Sequence, residues 1–217
     1  MANIALMCLL AVVSQTASLS GPPAQPPLWP QTFSVTFQEE RHISVVPVNQ
    51  NVGAWHYDFA NSRARFDYSQ GQADSFCTGR GLTLKDEHGD CQLFFSTLGL
   101  YVHYPREQQC CRACGPAQYC SVIKPTWLAG ATYLGEENIN GTTCHGWEKQ
   151  GAVATDRWYQ TEDGKPCQYW EKLQFVPHIT HVITFNTSSY QLNPIPASVF
   201  DVPKYCNSTC PIPYPPH

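Results

Sequence analysis

The sequence predicts an all-β fold, a sandwich or incomplete barrel stapled by disulfides, on three observations. Short runs that alternate apolar and polar residues follow one another closely, broken by Gly, Pro and Asn. No stretch of about eleven residues sustains the apolar period of a helix. Of the 11 cysteines, all but Cys8 lie beyond an apolar leader and form an even set.

In chain order, residues 1–20 read as a signal peptide. Residues 2–20 carry no charged side chain, and the apolar run from Ile4 through Val13 is about ten residues long, half of what spans a bilayer. Ser18 and Ser20 supply a small-residue cleavage site before Gly21, although the usual basic start is missing. Cleavage removes Cys8 and leaves Cys77, Cys91, Cys110, Cys111, Cys114, Cys120, Cys144, Cys167, Cys206 and Cys210. Behind such a leader that set reads as a disulfide framework in an exported protein. Residues 21–30, with Pro22, Pro23, Pro26, Pro27 and Pro30, read as an extended leader outside the core of one β domain at residues 31–217.

Phe33, Val35 and Phe37 alternate with Ser34, Thr36 and Gln38 as in a half-buried strand. Residues 55–68 make a hairpin with a turn at Asn61-Ser62. Trp55 then faces Tyr68, Tyr57 faces Phe66 and Phe59 faces Ala64 on one side, while Asp58 meets Arg65 and His56 meets Asp67 on the other. Each such cross-strand pair contributes about 0.2–1 kcal/mol, and a one-residue slip would exchange the two faces. A second hairpin is expected over residues 93–104, turning near Leu98-Gly99 with Phe95 roughly opposite Val102. Shorter strands are expected at residues 157–161, 168–173 and 180–190.

Acceptor sequons begin at Asn140, Asn186 and Asn207, and a glycan at each requires solvent exposure. Asn186 falls on the hydrophilic side of its strand. A net charge of -4 with scattered Lys and Arg excludes a basic nucleic-acid face. No second apolar stretch approaches the ~20 residues of a transmembrane segment.

Four thiols at Cys110, Cys111, Cys114 and Cys120 suggest zinc, but the adjacent pair and wide gap miss the usual spacing, and export favours disulfides. Adjacent Cys110 and Cys111 should point to different partners. His178 and His181, three apart on an extended segment, face opposite ways and do not share a metal. The carboxylates at Asp86-Glu87-His88-Gly89-Asp90, Glu136-Glu137 and Glu162-Asp163-Gly164 read as solvated turns without EF-hand spacing, leaving open a calcium site assembled from separate loops. No nucleophile elbow, zinc-protease motif or phosphate loop occurs, and nothing asks for an enzyme.

The aromatic stripe is the most informative ambiguity. Trp55, Tyr57, Phe59, Phe66, Tyr68, Phe94, Phe95, Trp158, Tyr169, Trp170 and Phe185 either fill a solid core, line an apolar cavity for a hydrophobic guest, or present a platform for sugars; the cavity reading takes Trp55, Tyr57, Phe59, Phe66, Tyr68, Phe95, Val102, Trp158 and Phe185 as its lining.

The order of several segments resembles the ependymin-related family of secreted and lysosomal glycoproteins. The segments are Tyr57-Asp58-Phe59-Ala60-Asn61-Ser62-Arg63, Leu100-Tyr101-Val102-His103-Tyr104 leading to Cys110, Arg157-Trp158-Tyr159 before Cys167, and Ser198-Val199-Phe200-Asp201-Val202-Pro203-Lys204-Tyr205-Cys206. The resemblance implies two stacked antiparallel sheets forming a half-open barrel around an apolar pocket, similar to bacterial lipoprotein-carrier proteins. It implies binding of a fatty-acyl or other hydrophobic molecule, calcium binding and association with extracellular matrix. The chain is thus expected to be a non-enzymatic binder, with homodimerisation open. It also implies a bond from Cys206 to Cys110 or Cys111. The chain departs from the family pattern in its extra cysteines between Cys111 and Cys144 and in lacking a leader cysteine for Cys167, a role open to Cys144. The competing expectation is a matrix or adhesion glycoprotein with a filled core and no small-molecule ligand.

Overall fold

Alternation extends further than the short runs suggest, and eleven strands result. They are β1 (Thr32–Ile43), β2 (Val46–Asp58), β3 (Arg63–Tyr68), β4 (Cys91–Ser96), β5 (Gly99–Tyr104), β6 (Gln109–Cys114), β7 (Thr132–Ile139), β8 (Thr142–Gln150), β9 (Ala154–Gln160), β10 (Pro166–Leu173) and β11 (Ile179–Phe185). The computed structural model describes residues 25–213 apart from Glu87, Tyr119 and Phe175, so the signal-peptide reading of residues 1–20 lies outside the described residues. Helix among the described residues is limited to short 3-10 turns.

The chain runs as two meanders, β1 to β6 and β7 to β11, joined where β1 pairs with β11. The expected layers are therefore two halves of a single antiparallel sheet, in the order β6-β5-β4-β3-β2-β1-β11-β10-β9-β8-β7. The sheet is strongly curled. Laid flat, β2 and β9 would stand about 19 Å apart across four strand spacings. Yet the ring of Trp29 lies 5.3 Å from that of Trp55 on β2 and 4.6 Å from that of Trp158 on β9.

The hairpin of β2 and β3 forms with the expected faces and a register displaced by two residues. Trp55 pairs with Phe66, Tyr57 with Ala64 and Gly53 with Tyr68. The displacement comes from a 3-10 turn at Phe59–Asn61 closed by Ser62, which adopts φ 53° and donates its N–H to the Phe59 carbonyl at 2.9 Å. Asp58 fixes this turn, accepting from Asn61 Nδ2 at 2.8 Å and Arg63 Nε at 2.7 Å. Asp58 thus meets Arg63 rather than Arg65, while His56 still reaches Asp67 diagonally at 3.4 Å. In the second hairpin Leu93 pairs with Val102 and Phe95 with Leu100.

All ten cysteines beyond the leader are paired, as Cys77–Cys91, Cys110–Cys206, Cys111–Cys210, Cys114–Cys120 and Cys144–Cys167. Successive residues of a strand face opposite ways, so Cys110 and Cys111 reach to the two sides of edge strand β6. The 206–210 segment runs along that edge, where the Arg112 N–H donates to Ser208 and the Cys210 N–H donates to Arg112. Two disulfides and a parallel bridge at Thr209 thereby cover an open sheet edge that would otherwise template aggregation.

Both clasping disulfides close nearly the same long loop, with separations of 96 and 99 residues. Losing either one, for example as Cys110→Ser with Cys206→Ser, should cost only about 2 kcal/mol because the other still closes the loop. Losing both should cost roughly 6–7 kcal/mol, well beyond the sum of the two single losses. Urea denaturation measures this; strictly additive losses would show that the two bonds act independently.

Candidate ligand-binding face

Register places Trp55, Tyr57, Phe66, Tyr68, Phe95, Val102, Trp158 and Phe185 on one side of the sheet, with Phe59 at the adjoining turn. All nine belong to, or pack against, one cluster on the concave side. Trp55 stacks on Phe66 at 5.1 Å, Phe33 on Tyr57 at 4.8 Å, and Trp158 meets Phe185 at 5.5 Å.

Two irregular stretches of the chain fill the space over these rings. One is the described part of the supposed leader, residues 25–30, which is not outside the core: Trp29 is 5% exposed and touches Phe33, Trp55, Tyr57, Trp127 and Trp158. A lone Trp among prolines carries no periodicity, and its role was therefore illegible locally. The other is the loop at residues 115–131 (Tyr119 apart); its Trp127 meets Trp158 and Tyr169, and its Leu128 is fully buried. The Trp29 N–H donates to Pro125, Tyr57 donates its hydroxyl to the Ile123 carbonyl at 2.7 Å, and the Lys149 ammonium donates to the Trp127 carbonyl. This plug is held by a few hydrogen bonds at its margins, while its interior contact is indole on indole.

Three indole N–H groups, on Trp29, Trp55 and Trp127, are buried there with no acceptor among the described residues. Buried donors are nearly always paired, and each unpaired one costs about 1–3 kcal/mol. A guest molecule bearing an oxygen acceptor would satisfy them.

The concave face also carries a polar end. Glu39 continues the Phe33, Val35, Phe37 series of β1, and His181 continues Phe185 and Ile183 of β11, so both point inward. His181 Nε2 lies 2.7 Å from Glu39, which is 2% exposed, and Nδ1 lies 3.7 Å from Glu171. Burial alone would lower the imidazole, but the two carboxylates outweigh it and raise His181 to about 9. It is a clamped imidazolium, unsuited to act as a general base near neutrality. Asp74, 1% exposed, accepts the N–H groups of Phe76 and Cys77, yet burial and the nearby Glu39 push it up to about 7. Tyr68 and Tyr169 are raised by burial, and Tyr169 donates to Asp156 at 2.6 Å. The legible sign of this cluster was a charged residue recurring at an inward position of three neighbouring strands.

A large cavity lies on the opposite, outer face. It is an open trough of about 930 Å³ bordered by outward residues such as Thr36, Gln38, Ala54, Gln92 and Thr184. Of the nine expected pocket residues, Tyr68 and Phe185 border it, and by alternation their rings belong to the concave side. No three His, Cys, Asp or Glu side chains gather in a metal-sized group among the described residues. No helix among them is long and apolar enough to cross a membrane. Asn140, Asn186 and Asn207 are all exposed.

Residues 28–206 match the family described as Domain of unknown function (DUF8395). The chain belongs to the DUF8395 family. No curated protein matches its sequence. Its fold is similar to that of an uncharacterized conserved protein from Thermus thermophilus, at 9% identity and a TM-score of 0.50, covering 82% of this chain and 90% of that one. A LolA superfamily protein from Nitrosomonas europaea aligns at 11% identity and a TM-score of 0.41, over 80% of this chain and 92% of that one. The DUF8395 match begins one residue before Trp29 and ends at Cys206, so it takes in the plug residue and the Cys110–Cys206 clasp.

The polar end of this DUF8395 fold sets a pH dependence. Asp74 holds its proton more tightly when folded, so its contribution to stability grows as pH falls through about 7. His181 also holds its proton more tightly when folded; its contribution is complete below about 6.5 and is lost as pH rises through about 9. Both signs agree, so the melting temperature should be higher at about pH 5.5 than at about pH 9, and His181→Gln should flatten the upper part of that slope. Thermal melts across pH test this, and a profile rising toward pH 9 would refute the assignment.

Proposed function

We propose that this protein is an exported, non-enzymatic binder of a hydrophobic molecule with a polar oxygen end, such as a fatty-acyl lipid, taken into the concave aromatic face. One observation carries the reading: that face is filled by irregular chain rather than by secondary structure, and three unpaired indole donors meet at the contact. The plug formed by Trp29 and residues 115–131 is displaceable in this reading, and the five disulfides keep the surrounding sheet intact while it moves. Disulfides of this number support maturation in an oxidising compartment. The resemblance of the quoted motifs to ependymin-related proteins points the same way and is part of the proposal.

Magnitudes set the size of the guest. Withdrawing a buried Trp costs about 3–5 kcal/mol, while each buried methylene contributes about 0.8 kcal/mol. About six methylenes offset the withdrawal of Trp29 alone, and reaching micromolar affinity, about 8 kcal/mol, takes roughly ten more. Long acyl chains should bind and short ones should not.

The filled face also favours a second reading, a matrix or adhesion glycoprotein with no small-molecule ligand. Titration with fatty acids of about 8 and about 18 carbons, followed by tryptophan emission, separates the two. The proposal expects a response to the longer chain only, retained in Trp29→Ala at lowered stability. Unchanged emission and no bound lipid by native mass spectrometry at either length would leave the second reading standing.

A further inference from the structure

The outer trough is bordered by two of the three sequon asparagines. Asn140, from the edge hairpin β7–β8, and Asn186, at the end of the central strand β11, line the same cavity, whereas Asn207 lies on the clasp along β6. Asn140 opens the two-residue turn between β7 and β8, with φ 50° there and 84° at Gly141, the left-handed pair that an Asn-Gly hairpin turn requires. That geometry holds Asn140 at an exposed tip beside the trough. Asn186 follows β11 directly, and its Oδ1 accepts the Ser188 N–H at 3.1 Å. Its Nδ2 carries no hydrogen bond to the described residues and is left for modification.

We propose that the trough is the seat of the protein's own N-glycans, with the first N-acetylhexosamines on Asn140 and Asn186 packed into it. Attachment forms a bond from Nδ2 to the anomeric carbon of an oligosaccharide phosphate donor, with loss of one amide proton and departure of the donor's phosphate. The chemistry of the trough suits a sugar. Thr36, Gln38, Gln92 and Thr184 turn hydroxyl and amide groups outward, Val52 adds an apolar patch of the kind a sugar face packs on, and Ala54 leaves room between them. A volume of about 930 Å³ is comparable to a ligand site, which a few sugar rings would occupy. Occupied in this way, the outer face is not open to a free ligand.

The test uses protein secreted from a eukaryotic cell and treated, without denaturation, with an amidase that removes N-glycans, each site being followed by mass spectrometry. Asn207 serves as the internal control. Release at Asn140 and Asn186 should be slower than at Asn207 by about tenfold, the ratio that about 1.4 kcal/mol of contact gives. Ala54→Trp, which fills the trough, should bring the three rates together. Equal rates in the unmodified sequence, an unoccupied Asn140 or Asn186, or an unchanged ratio in Ala54→Trp would each overturn the proposal. Fatty-acid uptake is read separately, so failure here leaves the concave-face reading untouched.

Discussion

Trp29 touches β2 and β9 at once, and that contact holds a wide sheet in its curl. A sheet of eleven strands with aromatic rings on one side must remove that side from water. Closing into a barrel would do so, but β6 and β7 remain edges. The chain instead folds two of its own irregular segments into the concavity, so the curl, the plug and the aromatic face depend on one another. Loops usually stay on surfaces because their backbone groups need partners. Here those partners are supplied at the margins by Tyr57, Lys149 and the Trp29 N–H.

The disulfides complement that arrangement rather than duplicate it. Cys110–Cys206 and Cys111–Cys210 grip an edge, and Cys77–Cys91 ties the segment carrying Asp74 to the start of β4. Cys144–Cys167 links β8 to β10 across β9. Apart from Cys114–Cys120, which closes a short turn entering the 115–131 loop, none crosses the plug. Covalent constraint is therefore concentrated in the sheet and its edges, and the material over the aromatic face is held chiefly by packing.

Much of this was legible because strand alternation is local. Phe33-x-Val35-x-Phe37 and the 55–68 hairpin announce their faces, since parity alone decides which side a residue takes. The register of that hairpin was not legible, because Asp58 and a left-handed Ser62 build a longer turn than Asn61-Ser62 alone. Trp29 and Trp127 were opaque for a different reason: they lie in segments without a period, and only the curl brings strands far apart in the sheet to them. The inward Glu39 and His181 sat in plain view within apolar series, but a charge at one such position is meaningful only once its neighbours across two strands are known.

The two faces divide the chemistry of the protein. Inward positions combine aromatic surface, unpaired indole donors and a clamped imidazolium, all in a setting that water enters poorly. Electrostatic contacts are strong in such a setting, so an acyl guest would find its tail matched by the rings and its oxygen matched by the donors. Outward positions combine hydroxyls, amides and exposed sequons around an open trough. Apolar groups such as Val52 are interspersed there with polar ones, whose contacts in water are individually weak, so a lasting occupant of that trough is most easily one attached to the chain itself. Covalent tethering supplies the effective concentration that the trough's own contacts lack, whereas the concave face needs no tether because each buried methylene adds to its hold.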